Sequence, residues 1–286
     1  MCDDHPERPA ATPGLDASSA GSAGATERGE VRKGGGAPLR GRFYLPRAAI
    51  ESGRVSFDAE EARHIARTLR LRPGDLVAAV DGDGTHFTVR LERVTPRAVE
   101  GAITAVEPKR AESPLAITLA QGIPKGDKLE AIIRACVELG VVRIVPVVTE
   151  RTIVRLDPAR GRDRLRRWQR VAKEAAKQCG RAVIPPVEAP RTLAGLLAAE
   201  EPDGLRLCLW EEEARPLDAV LAAVEAPPRP VTVLVGPEGG LSAAEVEAAR
   251  SRGFVVAGLG PSILRTETAG PAVVAILQSR FGDLGR

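Results

Sequence analysis

From residue 114 onward the chain alternates short apolar runs with stretches of helical period, and that alternation is what most constrains its fold. Ala116 to Ala120, Val141 to Val148, Leu205 to Leu209, Val231 to Val235 and Phe254 to Leu259 read as buried strands. Leu129 to Leu139, Arg164 to Cys179, Leu193 to Ala199, Leu217 to Val224 and Ala243 to Ser251 read as helices by period and composition. Strands alternating with helices predict a parallel α/β sheet, and such sheets take their ligands beyond the carboxyl ends of the strands.

Two glycine-bearing segments fall at those ends. Gly236-Pro237-Glu238-Gly239-Gly240-Leu241-Ser242 follows the run Val231 to Val235, and Ser242-Ala243-Ala244-Glu245 is a capping box that opens a helix at once. Leu259-Gly260-Pro261-Ser262-Ile263-Leu264-Arg265-Thr266-Glu267-Thr268-Ala269 follows the run from Phe254. Its continuation to Phe281 carries Val273, Val274, Ile276, Leu277 and Phe281 near helical spacing, with Gly270 and Pro271 assigned to the first turn. Such loops present backbone N–H groups and bare glycine surface to a small molecule, so Gly239 is expected to face the ligand. Neither is a G-x-G-x-x-G fingerprint, and no acidic residue stands where a dinucleotide ribose would need one. Gly122-Ile-Pro-Lys-Gly126-Asp-Lys128 is one residue short of a Walker loop and continues into Leu129, which excludes that phosphate cradle.

The segment from Arg42 to about Glu107 reads differently, as short strands at Phe43 to Leu45, Val55 to Phe57, Leu76 to Val80, Thr85 to Val94 and Ala98 to Val106. One helix interrupts them, opened by Asp58 and Glu61 and carrying Ala62, Ile65, Ala66 and Leu69 on one face. This pattern predicts a small barrel-like domain. Asp81, Asp83 and Glu92 match three places of a calcium loop, but His86 stands where that loop needs glycine and Phe87, Val89 and Leu91 alternate as a strand, so a hairpin turn is expected. Residues 1–40 are mostly Ala, Gly, Ser, Pro and charge and are expected to form a disordered extension. Pro108 to Pro114 is a polar linker, which gives domains at 41–108 and 114–286.

Composition excludes several function classes. Aromatic residues make up 3% of the chain, too few for stacking platforms of the single-strand-binding kind. Cys2, Cys136, Cys179 and Cys208 are scattered without a C-x-x-C pair and are expected as buried free thiols, and His64 and His86 have no partner at metal spacing. No metal is expected. No apolar run reaches the roughly 20 residues of a membrane span, and the N-terminus lacks the apolar stretch of a signal peptide, so the expected compartment is the cytoplasm.

The net charge of +3 is slight, and the placement of cations says more. On Arg164 to Arg181, Leu165, Trp168, Ala172, Ala175, Ala176 and Cys179 share one face while Arg166, Arg170, Lys173 and Lys177 share the opposite one. Such a stripe, with Lys125 and Lys128 upstream, suits the phosphates of a nucleic acid. Arg265 lies in a glycine-bearing loop where its planar fork can hold a carbonyl oxygen or a phosphate. Glu238 and Glu267 suit either a helix-dipole role or proton transfer.

Taken together, GPEGGLS and LGxxILRTETA resemble the signature of the ribosomal RNA small subunit methyltransferase E family, within the SPOUT superfamily. Arg42-Phe43-Tyr44, Gln121 to Lys128, Glu138-Leu139-Gly140, Pro146 to Val154 and Gln178-Cys179-Gly180-Arg181 match in order, so the resemblance covers nearly everything after residue 40. It implies a SPOUT domain with a deep trefoil knot behind a PUA-like RNA-binding module. It also implies transfer of a methyl group from S-adenosylmethionine to N3 of one uridine in 16S rRNA, by a homodimer with Thr268 to Phe281 in its interface. The cofactor residues so implied are Leu209, Trp210, Glu211, Val235 to Leu241, Leu259, Gly260, Ile263, Leu264, Arg265, Thr266, Thr268 and Ala269. Arg265 or Arg181 would be the cation beside uracil, and Glu238 or Glu267 the base, if there is one. Arg181 would also join the RNA-binding set. Ser262 departs from the second arginine that many relatives carry in that loop. A SPOUT ribose 2′-O-methyltransferase is the alternative, against which stands the missing Ser-Leu-Asn stretch; a non-catalytic rRNA-binding assembly protein is the other.

Overall fold

The computed structural model describes residues 39–107, 112–153, 158–199, 204–213, 215–227 and 230–286, with side chains from 161 onward in the segment that starts at 158. The expected extension through residue 38, Cys2, the linker residues 108–111 and the end of the Pro146 to Val154 motif lie outside them.

The first domain is a six-stranded sheet built from β1 (Arg42–Tyr44), β2 (Ile50–Glu51), β3 (Arg54–Phe57), β4 (Leu76–Val80), β5 (His86–Val94) and β6 (Val99–Glu107). Its hydrogen-bonded order is β1-β4-β5-β6-β3-β2, antiparallel except for the parallel β1–β4 pair. The expected strands are present, and the two-residue β2 is one that periodicity over so short a run cannot reveal. Helix α1 (Ala59–Arg63) starts at Asp58, whose carboxylate accepts the N–H groups of Glu60 and Glu61, and it runs on as one wider π turn to Thr68. Phe43, Leu45, Phe57, Ile65, Val89 and Leu91 fill the core, with the Phe43 and Phe57 rings edge to face at 5.8 Å. Asp81 Oδ1 accepts from the N–H groups of Asp83 and Thr85 while Arg47 Nε donates to Oδ2, so the acidic turn is internally satisfied. Among the described residues no group of His, Cys, Asp and Glu forms a metal site.

The second domain is an all-parallel six-stranded sheet. It contains β7 (Ile117–Gly122), β8 (Arg143–Val148), β9 (Arg191–Thr192), β10 (Leu205–Leu209), β11 (Val231–Val235) and β12 (Val255–Ala257), in the order β12-β10-β11-β7-β8-β9. Alternation along each strand divides the core into two layers. Ile117, Leu119, Leu207, Leu209, Val231, Val233 and Val235 face α2 (Lys128–Glu138), α3 (Pro158–Cys179), α5 (Leu217–Ala222) and α7 (Thr266–Phe281). Ala120, Val145, Val147, Cys208, Leu234 and Val256 face α4 (Leu193–Ala198) and α6 (Ala243–Arg250). No described helix is long and apolar enough to cross a membrane.

Three local expectations are corrected. Helix α7 begins at Thr266, which places Pro271 inside it, where the missing N–H leaves the carbonyl of Glu267 without its helical donor. Cys179 is exposed at the end of α3, whereas Cys136 and Cys208 are buried. The lower half of the α3 stripe is not a free surface. Lys177 Nζ meets Glu61 Oε1 at 2.7 Å, Arg42 donates to the Lys177 carbonyl at 3.1 Å, and Lys173 Nζ stands 4.5 Å over the Tyr44 ring. The stripe therefore runs from solvent at Arg166 and Arg170 into the contact between the two domains at Lys173 and Lys177.

Candidate functional site

Strand register creates the site. Gln121 pairs with Val235, Val235 with Leu209 and Leu209 with Ala257, so four neighbouring strands end at one level. The loops leaving β10, β11 and β12 converge there on the start of α7. They enclose a cavity of about 380 Å³, within the range of small-molecule sites, lined on three sides by Leu209 to Glu211, by Val235 to Glu238 with Gly240, and by Gly258 to Glu267 with Ala269.

Buried polar contacts fix these loops. Gln121 has no solvent exposure; its Nε2 donates to the Gly122 and Gly236 carbonyls and to Thr266 Oγ1 at 2.9 Å, and Thr266 Oγ1 donates to the Gly236 carbonyl at 2.7 Å. A Cβ on Gly122 would stand 2.5 Å from Pro237 N, so the end of β7 can touch the loop after β11 only as glycine. The expected capping box is present, with Ser242 and Glu245 bonded reciprocally at the head of α6.

Most of the expected small-molecule residues meet at this cavity. Leu209, Trp210, Glu211, Val235, Gly236, Pro237, Glu238, Gly240, Leu259, Gly260, Ile263, Leu264, Arg265, Thr266 and Ala269 line it. Three do not. Leu241 is buried in the layer beneath, Thr268 is exposed on the helix, and Gly239 turns toward Arg151, which donates to its carbonyl at 2.8 Å. In that loop the left-handed glycine that lines the cavity is Gly240, whose φ is +68°.

The charged residues separate by what they already bind. Arg181 is a correction: its guanidinium donates to Glu112 and to the Val137 and Val141 carbonyls at the C-terminal end of α2, and it is absent from the cavity lining. Arg265, the N-cap residue of α7, lines the cavity, exposed and with no acidic partner among the described residues. Lys128, expected on an RNA path, instead stands at the cavity between two carboxylates, 3.2 Å from Glu238 Oε1 and 3.5 Å from Glu267 Oε2. Desolvation is overcome there by the Glu238 hydrogen bond, and with the charges of both carboxylates it keeps the Lys128 pKa raised.

Glu238 is thoroughly engaged. Both its oxygens accept the Lys125 N–H, at 3.0 and 3.2 Å, and Lys128 adds its charge. Burial favours the neutral acid, but backbone N–H groups and Lys128 outweigh it and hold the carboxyl below its ordinary range. Among the described residues Lys128 is the one ion-pair partner of Glu267, whose Oε2 is out of solvent. Trp210 Nε1 is also buried, without an acceptor among the described residues. The sequence signal for Lys128 lay in the GIPKGDK segment, but nothing local says that it reaches two glutamates more than a hundred residues on.

A family model described as an RNA methyltransferase domain matches residues 111–278, and one described as an RNA methyltransferase PUA domain matches residues 57–104. The chain is 34% identical over 223 residues to the Bacillus subtilis protein named ribosomal RNA small subunit methyltransferase E, covering 77% of this chain and 87% of that one. A Synechocystis protein of the same name is 34% identical over 236 residues, 82% of this chain and 76% of its own. Among solved structures, ribosomal RNA small subunit methyltransferase E from Neisseria gonorrhoeae bound to S-adenosyl methionine superposes with a TM-score of 0.77 at 35% identity, over 85% of this chain and 98% of that one.

Proposed function

We propose, on the premise that the chain belongs to the ribosomal RNA small subunit methyltransferase E family, that it transfers a methyl group from S-adenosylmethionine to N3 of one uridine in 16S rRNA. The single observation that carries the reading is the cavity at the aligned ends of β10, β11 and β12. Its glycine walls suit close backbone approach, and the gonorrhoeal relative is bound to S-adenosylmethionine.

The lining fits that ligand. Glu211, Glu238 and Glu267 face Lys128 and Arg265, so three carboxylates against two cations leave one negative charge for a ligand whose net charge is positive. The bare backbones of Gly236 and Gly240 and the unpartnered indole N–H of Trp210 are the contacts on offer. When bound, the cofactor supplies the activated methyl group. The chain's own part is to hold the acceptor in line with it, exclude water, and meet the charge that develops on uracil. Arg265 is the free cation at the cavity and is assigned that last task.

Exposed Arg166 and Arg170 on α3, with Lys125, are the phosphate contacts in this reading, and the PUA-like domain adds a second RNA surface. The finer features follow the same family pattern: a deep trefoil knot around the two loops, closure of the first sheet into a barrel, and action in the cytoplasm. A homodimer through α7 belongs with them, supported by the exposed apolar side chains of Ile263, Leu264 and Ile276.

Calorimetric titration with S-adenosylmethionine, followed by nucleoside analysis of methylated small-subunit RNA, tests the reading. Binding together with N3-methyluridine is the expected result. A 2′-O-methylated product would move the enzyme to the ribose class, and absence of binding would leave an assembly protein. Arg265→Lys should keep cofactor affinity and slow methyl transfer, because the charge persists and the planar fork is lost.

A further inference from the structure

We propose that Glu267 is the group that takes the proton from uracil N3, with Lys128 beside it holding its carboxylate in place and donating to a uracil carbonyl; this rests on the N3-uridine reading above.

Uracil presents an N–H at N3 flanked by two carbonyl oxygens. A site that recognises this edge needs an acceptor with a donor beside it, and a site that methylates N3 needs that acceptor to become the base. Three carboxylates line the cavity, and their existing bonds distinguish them. Glu238 spends both oxygens on the Lys125 N–H, and backbone N–H groups, ahead of Lys128, hold its carboxyl below the ordinary range, which makes it a weak proton acceptor and a tie between the loop after β11 and the head of α2. Glu211 is exposed, with its carboxylate against Gly240. Glu267 is left. It sits in the first turn of α7 without serving as a cap, two residues from Arg265, and among the described residues its one ion-pair partner is Lys128, with Nζ at 3.5 Å. Its Oε2 is enclosed against Lys128, while the residue lines the cavity and its side chain keeps 26% exposure, which is the surface it offers to a substrate there.

The step balances without a further reactant. The N3–H bond breaks toward Glu267, the electron pair stays on N3 and forms the bond to the methyl carbon, and the carbon–sulfur bond breaks with its pair remaining on sulfur. Glu267, now protonated, returns its proton to water. Arg265 and Lys128 offset the charge that builds on the uracil oxygens during proton loss.

Single-turnover methylation of unmethylated small ribosomal subunits at saturating S-adenosylmethionine provides the test, with Glu267→Gln compared against Glu238→Gln. Glu267→Gln should lower the rate at saturating S-adenosylmethionine and neutral pH by about 10²–10⁴-fold, while the loss of one cavity charge weakens calorimetric affinity for S-adenosylmethionine by no more than about tenfold. Its rate should climb again at alkaline pH, where N3 loses its proton to solvent. Glu238→Gln should show no such alkaline recovery. A Glu267→Gln variant that methylates at the wild-type rate, or that is slow because it no longer binds S-adenosylmethionine, would overturn the assignment. If the wild-type product is N3-methyluridine in those cases, only this assignment fails; if the wild type makes another nucleoside, the N3 reading falls first and takes this one with it.

Discussion

Lys177 Nζ lies 2.7 Å from Glu61 Oε1, and the two side chains keep only 9% and 2% of their surface, which makes the pair a buried charge contact between the domains. Glu61 also accepts the Tyr44 N–H, and Glu174 approaches Lys177 from its own helix at 3.3 Å. Burial works against the ammonium, yet the hydrogen bond and charge of Glu61, with Glu174, leave its pKa raised. A basic stripe read on one helix is thus partly an internal strut.

Removing one partner of such a pair strands the other. Lys177→Met should cost about 3 kcal/mol in denaturant unfolding of the intact protein. Adding Glu61→Gln should restore most of it, because glutamine keeps an acceptor for Tyr44 N–H and removes the stranded charge. The stabilisation from a raised lysine pKa is complete below the ordinary 10.5 and is lost as pH climbs through the folded-state value, so the gap between wild type and Lys177→Met should close in strong alkali. A gap that stayed open in strong alkali would show that another group carries it.

The Glu238 tie has the opposite sign. Its folded-state pKa is lowered from 4.5, so its stabilisation is complete at neutral pH and shrinks as pH falls below that value through the folded-state one. Glu238→Gln should reduce stability at pH 7 by about 1 kcal/mol, and melting curves of the two proteins should converge in acid. Parallel curves down to the acid limit would refute the tie.

Glycine substitution separates the two neighbours in the loop after β11. Gly240 holds φ at +68°, and a Cβ there would strike the Glu211 carboxylate at the cavity wall. Gly240→Ala should weaken S-adenosylmethionine binding by about tenfold, or 1.4 kcal/mol. A Cβ on Gly239 would meet Arg151 Cβ at 3.1 Å, outside the cavity. Gly239→Ala should cost less than about 1 kcal/mol in stability and leave affinity alone. Equal losses of affinity in calorimetry would mean that both glycines face the ligand.

With Lys177 withdrawn from the stripe, Arg166 and Arg170 are its exposed arginines. Replacing both by Gln should weaken binding to RNAs of differing sequence alike and flatten the slope of log affinity against log salt by about 1.5 units. An unchanged slope in filter binding would direct the RNA over Lys125 and the first domain.

Much of this protein is local and therefore legible in its sequence. Apolar alternation from Ile117 to Val256, the Asp58 and Ser242 caps and the glycine loops act over a few residues, and most elements form where their own pattern places them, the two-residue strands β2 and β9 excepted. Helix α7 shows the limit: its start at Thr266 rather than Thr268 follows from Thr266 bonding to Gly236 and Gln121, contacts 30 and 145 residues distant. The same holds for charge. Arg181, Lys177, Lys128 and Glu238 look alike in a sequence as available ions. Tertiary packing brings Lys128 to Glu238 and Glu267, ties Arg181 to the carbonyls of Val137 and Val141, and buries Lys177 against Glu61. The sequence sets which groups exist and which helices and strands carry them. Only the tertiary structure decides which are already paired, because a charge is consumed by whatever lies within about 4 Å, and distance along the chain says nothing of that.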